Sequence, residues 1–226
     1  MDAPIITVKR SWSRPEPALL DRFRDRPTGN VSDAAGRGGA LAPNIKAVTP
    51  DRRFVGAALT VDCGRHDNLA FWAALESVRP GDVMMVATHG HDGCAVVGDL
   101  IIAFARNRGA VAVVTDGMVR DADALAGIGV PVFAAGIRPS GPTKRGPGSV
   151  GLPVWIAGQR VEAGDVVVGD SDGVVVVPRA MLAGAADELD RIAEKEAGME
   201  ADGKAGNPAP RNIESFLGGV MIQHVD

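Results

Sequence analysis

Apolar and polar positions divide the chain into two patterns. From residue 54 to 134, short apolar runs alternate with amphipathic stretches. FVGAALTVD (54–62), VMMVA (83–87), AVAVV (110–114) and GVPVFAAG (129–136) are apolar runs bounded by turn formers, which predicts buried strands. HDNLAFWAALESV (66–78), GDLIIAFARNRG (98–109) and ADALAGIG (122–129) predict helices, with RPGD and Gly109 as stops. THGHDGCAVV (88–97) reads as a loop or irregular strand. This alternation predicts an α/β unit with parallel strands.

The flanks follow other rules. ALLDRFRDR (18–26) predicts a short helix ended by Pro27, and TGNVSDAAG offers Asn30 or Ser32 as a cap and Gly36 as a stop. From 135 to 178 the chain is short apolar segments and turns, which predicts antiparallel strands or a small β layer. A helix is expected over 179–197, with an apolar stripe of Leu182, Ala185, Leu189 and Ile192 that Glu196 continues at helical spacing. ADGKAGNPAP has the composition of a flexible segment, and RNIESFLGG reads as a last helical turn. The expected division is an N-terminal arm with a helix (1–27), one domain (28–197) and a C-terminal tail (198–226).

Composition narrows the classes. With 29 glycines and 4% aromatics, the core must be built from Val, Ala, Leu and Ile between many tight turns. A formal charge of −4 argues against a general nucleic-acid binder, so attraction for an anion must be local. Cys63 and Cys94 are too few for a disulfide framework or zinc finger, which suggests a reduced, cytoplasmic setting. The start lacks the apolar run of a signal peptide, and no segment approaches the roughly 18 apolar residues of a membrane helix, so a soluble protein is expected.

The candidate chemistry centres on TDGMVRD (115–121), just past a predicted buried strand. Asp116, Arg120 and Asp121 suit a solvated turn. They equally suit a site in which Arg120 grips a carboxylate through two parallel hydrogen bonds and Asp121 offers hard oxygens to Mg²⁺ or Mn²⁺. The predicted helix at Gly98–Asp99–Leu100–Ile101 presents free N–H groups to an anion, although Asp99 would also serve as a plain cap. His89, His91, Asp92 and Cys94 crowd the preceding loop, where His-x-His is a possible metal pair. TKRGPGS lacks phosphate-loop spacing and reads as a turn or subunit contact. No strand precedes a G-x-G-x-x-G run, so a nucleotide or methyl-donor site of the Rossmann type has no support.

Taken in order, GDL, GMVRD, RGPGSV, GDVVV and DGVVVVP resemble the family of the regulator of ribonuclease activity A and the class II 4-hydroxy-4-methyl-2-oxoglutarate aldolases, over roughly residues 28–197. The resemblance implies an α/β fold with a layered β/β/α core, like the swivelling phosphohistidine domain. It also implies homotrimers or homohexamers with sites between subunits. It implies a lyase that releases pyruvate from a small 2-oxo acid with Mg²⁺ or Mn²⁺, and no nucleic-acid or membrane partner. Carried over, the amides of Gly98, Asp99, Leu100 and Ile101 and the Arg120 side chain hold the pyruvate-like group. Asp121 binds the metal, Asp99 contacts it through a water, and Asn68 lines the pocket. Asp33 and Glu196 stand where the aldolases have glutamates, the second supplied by a neighbouring subunit. Trp72 departs from the pattern, because many relatives have a histidine there; His89 and His91 are candidates to replace that base. The alternative within the resemblance is a non-catalytic protein that binds and regulates a ribonuclease.

Overall fold

The computed structural model describes residues 5–225; Met1 to Pro4 of the expected arm, and Asp226, lie outside them. In chain order the strands are β1 (Ile6–Val8), β2 (Lys46–Ala47), β3 (Phe54–Asp62), β4 (Asp82–Ala87), β5 (Ala95–Val97), β6 (Ala112–Thr115), β7 (Met118–Val119), β8 (Val132–Ala134), β9 (Gly136–Ile137), β10 (Gly148–Val150), β11 (Val154–Ile156), β12 (Gln159–Val161), β13 (Val166–Gly169) and β14 (Val174–Val177). The helices are α1 (Pro17–Asp21), α2 (Thr28–Ala34), α3 (Leu69–Ala74), α4 (Asp99–Asn107), α5 (Ala122–Leu125), α6 (Leu182–Lys204) and α7 (Ile213–Leu217).

The main sheet runs β1-β10-β3-β4-β6-β8-β2, and β13 joins β3 and carries β14 at its far side. The predicted parallel unit is present: β3, β4, β6 and β8 pair in parallel with one another in that order. The later strands β13 and β14 pair antiparallel, as do β11 and β12. A separate sheet of three short parallel strands, β5-β7-β9, lies off the main one.

Strand periodicity explains why the main strands are apolar throughout. Along β4, Met84 and Val86 join one core while Val83, Met85 and Ala87 join another. Successive side chains of a strand point to opposite faces, so both faces of β4 are covered. One face carries the helices, with α3 and α4 over the centre and α2 and α6 over β13 and β14. The other packs on the β11–β12 hairpin through Val154, Ile156 and Val161. The result is a helix layer, a sheet and a small β layer.

Several expected elements change length. The helix expected over 18–26 stops at Asp21, because Phe23 turns into the core beneath α6 and Arg22 and Arg26 reach Asp190. Asn30 and Ser32 cap nothing; both lie inside α2, whose first turn is held from outside by the Asp170 carboxylate on Thr28 N–H (2.8 Å) and Thr28 Oγ1 (2.7 Å). The helix expected over 66–78 begins after Asn68, since Asp67 accepts the Leu69 N–H. Helix α6 runs to Lys204, beyond the expected end at 197. Asp202 there is buried and tied to Asn207 Nδ2 and Arg211, so the segment expected to be flexible is built into contacts. The N-terminal arm packs on the domain through β1 and through Arg14, which grips the buried Asp82 with two 2.8 Å contacts.

Candidate active site

The small parallel sheet builds the site. Val97 at the end of β5 is paired with Val119 at the end of β7, so the next residues, Gly98 and Arg120, leave the sheet side by side. This is the carboxyl edge of parallel strands, where ligands of α/β folds bind. Arg120 N–H donates to Val97 O at 3.1 Å, which fixes the two turns together. Asp121 then adopts φ 64°, ψ 42°, a left-handed conformation that Asp tolerates better than most side chains, and α5 starts there.

Gly98 lets the Arg120 and Asp121 side chains come close. A Cβ at this position would lie 2.3 Å from Asp121 Oδ2 and 3.0 Å from Arg120 Cγ. A Cβ on Gly141 would lie 2.8 Å from Arg120 Nη1, so the guanidinium side chain passes between two glycines. Arg120 Nε stands 3.3 Å from Asp121 Oδ2, and both side chains are half-exposed. The expected trio of Gly98, Arg120 and Asp121 is therefore one constellation.

At the tip of α4, Leu100 N–H is taken by Asp99 Oδ1 at 2.7 Å. An anion at this tip must displace that carboxylate or use the other first-turn amides. Asn68 completes the wall: it is buried, and its Nδ2 donates to Val96 O at 2.9 Å. Its Oδ1 is buried with no partner among the described residues, a cost of about 1–3 kcal/mol unless a water or ligand donates to it. Asp67 latches the loop over this wall by accepting Thr143 Oγ1 (2.7 Å) and Arg145 N–H (2.6 Å). Burial opposes ionisation of Asp67, but these bonds and the Leu69 N–H outweigh it and hold the carboxyl below its ordinary range. TKRGPGS is thus part of a loop strapped across the site.

Three expected participants stand elsewhere. Asp116 clamps the 88–90 turn through Thr88 N–H (2.6 Å), Thr88 Oγ1 (2.9 Å) and Gly90 N–H (2.9 Å) and is not aimed at Arg120. Asp33 is exposed on α2 beside Arg37 (3.8 Å), and Glu196 on α6 accepts a hydrogen bond from Asn30. Among the described residues, no hydrogen bond or ion pair joins Asp33 or Glu196 to Arg120, Asp121 or Gly98. The stripe that led to Glu196 is buried at Leu182, Ala185 and Leu189, half-buried at Ile192 and spent at Glu196. Trp72 packs on Phe104, with ring centroids 6.1 Å apart.

The His-x-His pair does not converge. His89 Nε2 lies 3.0 Å from Asp62 Oδ1, while His91 turns to His66. Burial, then the charges of His66, Arg65 and Arg138, hold His91 below the ordinary imidazole range, and burial pushes the Cys94 thiol up. Sequence reasoning also missed Gly141 and Asp67, which act through contacts with residues far along the chain.

A metal at Asp121 fits what is present. One half-exposed carboxylate, with Asp99 following Gly98 on the adjoining turn in sequence, is the sparse, all-oxygen donor set that Mg²⁺ accepts when waters and substrate complete its shell.

The comparisons agree with this architecture. The family model described as RraA-like, Aldolase/RraA, matches residues 28–176. A protein of Halalkalibacterium halodurans, named provisionally as a 4-hydroxy-4-methyl-2-oxoglutarate aldolase, is 31% identical over 205 residues, 91% of this chain and 96% of its own. One of Burkholderia mallei with the same provisional name is 37% identical over 149 residues, 66% of this chain and 90% of its own. Among solved structures, the RNA-processing inhibitor RraA of Thermus thermophilis superposes with a TM-score of 0.64 at 28% identity, covering 68% of this chain and 93% of that one. Streptomyces coelicolor RraAS2, titled an unusual member of the RNase ES inhibitor RraA family, superposes with a TM-score of 0.74 at 26% identity, covering 83% and 98%. On the extent of these matches, the chain belongs to the RraA-like aldolase/RraA family.

Proposed function

We propose that this protein is a divalent-metal-dependent lyase that cleaves a carbon–carbon bond of a small 2-oxo acid and releases pyruvate. Its substrates are of the 4-hydroxy-4-methyl-2-oxoglutarate type, oxaloacetate, or both. The observation that carries this reading is the convergence of Gly98, Arg120 and Asp121 at the ends of two paired parallel strands.

In this reading the Arg120 guanidinium holds the substrate carboxylate and faces the 2-oxo oxygen, where negative charge collects as the bond breaks. The amides at the tip of α4 share the anion, with the Asp99 carboxylate moving off Leu100 N–H as substrate enters. Asn68 Oδ1, otherwise unpartnered, accepts a hydrogen bond from a water or from substrate. Asp121 would hold Mg²⁺ or Mn²⁺, with Asp99 assisting from the tip of α4, and the ion would supply Lewis-acid stabilisation of developing negative charge. No lysine stands among Gly98, Asp99, Leu100, Ile101, Arg120 and Asp121, and this reading uses no Schiff base.

Aldol cleavage also needs a base for the 4-hydroxyl proton, whereas oxaloacetate decarboxylation does not. Asp33 and Glu196 do not reach Arg120 within one chain. They serve as base only in a trimer or hexamer that brings them to a neighbour's site. The layered core is also the arrangement expected of the swivelling phosphohistidine-domain fold.

The direct test is pyruvate release from oxaloacetate and 4-hydroxy-4-methyl-2-oxoglutarate, with and without EDTA and added Mg²⁺. Chelator-sensitive release restored by Mg²⁺ is expected. No release from either substrate by folded protein would sink the reading and favour the ribonuclease-regulator alternative, which the names of the solved neighbours keep in view.

A further inference from the structure

We propose that His66, His91 and Cys94 form a second metal site that takes a late first-row transition ion of the Zn²⁺ class. Their donor atoms all lie within 4.8 Å of one another. His91 Nε2 and His66 Nδ1 are 3.1 Å apart, with the two rings tilted by 54°. Two imidazole nitrogens on a tetrahedral zinc at roughly 2.0–2.1 Å stand about 3.3 Å apart, so this edge of the site is already nearly the right length. The sulfur edges of such a site are about 3.5 Å, so they need a contraction of about 1.3 Å at most, within the reach of a side-chain rotation.

The local sequence is arranged around this cluster. Gly93 lies between two of the ligands in the chain, and a Cβ there would sit 2.6 Å from His91 Nε2 and 3.0 Å from His66 Cε1. A larger residue there would push the imidazoles out of this arrangement. Cys94 is buried, His91 half-buried and His66 exposed, so the cluster opens to solvent on one side. Three protein ligands with one open position is the pattern of an accessible zinc site. Ion binding expels the Cys94 thiol proton to solvent, leaving a thiolate on the metal.

This site is distinct from the one at Asp121 in chemistry and in place. Two nitrogens and a sulfur select zinc-like ions, whereas carboxylate and water select Mg²⁺ or Mn²⁺. Cys94 and Gly98 bracket the three-residue strand β5, which at roughly 3.3 Å per residue sets them about 13 Å apart. The position suggests what the ion does. His66 is two residues before Asn68, and Cys94 leads into the strand that ends at Gly98. An ion bridging them clips together the two walls of the candidate active site, which otherwise meet through the Asn68 Nδ2 to Val96 O bond.

The test is a titration of reduced, chelator-stripped protein with Co²⁺, followed by Zn²⁺. One equivalent of Co²⁺ should bind with a thiolate-to-cobalt charge-transfer band that Zn²⁺ bleaches and excess Mg²⁺ does not. Cys94→Ser should abolish the band, and His66→Ala or His91→Ala should weaken Co²⁺ binding about tenfold or more. His89→Ala and Asp121→Asn should keep the band. Absence of the band in wild-type protein overturns the proposal whatever the variants do, as does a band that survives Cys94→Ser in protein with native circular dichroism. Because the readout is spectroscopic and needs no turnover, the result is independent of the lyase assay.

Discussion

At the scale of single residues, the site depends on a few contacts that admit little substitution. Arg120 is held between Gly98 and Gly141 beside Asp121. Arg120→Ala should lower turnover on the order of 10²–10³-fold, the scale for losing one donor to a developing oxyanion, with little change in thermal stability. Near-normal kcat/KM in that variant would remove Arg120 from the chemistry. Asp121→Asn should chiefly blunt activation in a Mg²⁺ titration, and an unchanged activation curve would move the ion elsewhere. Gly98→Ala is a sharper probe, because its new methyl group would land 2.3 Å from Asp121 Oδ2. It should displace that carboxylate and raise the Mg²⁺ concentration for half-activation while the circular dichroism spectrum stays native. Trp72 is a different matter: it faces Phe104, and that pairing gives it a packing role.

At the scale of elements, two buried aspartates tie distant segments together. Asp67 strap-locks the 143–145 loop over the site, and Asp170 holds the start of α2. In both, burial works against the charge, but accepted hydrogen bonds win and the folded-state pKa falls below the ordinary carboxylate value. The unfolded chain therefore binds protons more readily than the folded one as pH drops below about 3.9. Their stabilisation is present above that pH and is lost as pH falls through the folded-state values. Denaturant melts at stepped pH should show this loss in acid, and Asp170→Asn should flatten the slope there and cost about 1–2 kcal/mol near neutrality, the scale of a lost cap. An unaltered acid slope in Asp170→Asn would show that its carboxylate is not depressed.

At the scale of the whole molecule, the candidate site has an exposed apolar border. Leu100 and Phe104, one turn apart on α4, are 72% and 50% exposed, and Trp72 beside Phe104 is 37% exposed. In the proposed shared site, this border is the face on which a second copy packs to bring Asp33 or Glu196 to a neighbour's Arg120. For the trimer or hexamer that the resemblance implies, light scattering should give a mass about three or six times 23.3 kDa. Phe104→Asp should shift it towards monomer and lower aldol activity more than oxaloacetate decarboxylation, which needs no base. A wild-type monomer with full aldol activity would refute the shared site. Among the described residues, no helix is long and apolar enough to cross a membrane.

Much of this was legible in the order of residues alone. The apolar runs of β3, β4, β6 and β8, the helix opening at Gly98–Asp99 and the Arg120–Asp121 pair are local features. A strand covered on both faces must be apolar throughout, and a turn between strand and helix must expose its polar residues. Tertiary structure alone decided which of the polar residues meet. It sent Asp116 to Thr88 and His89 to Asp62, brought His66 across to His91 and Cys94, and capped α2 with an aspartate 142 residues away. Such contacts depend on pairing between distant segments, which leaves no periodic trace in either one. That is why the strands and the pair at 120–121 could be read directly, while the latch, the histidine–cysteine cluster and the placement of Asp33 and Glu196 could not.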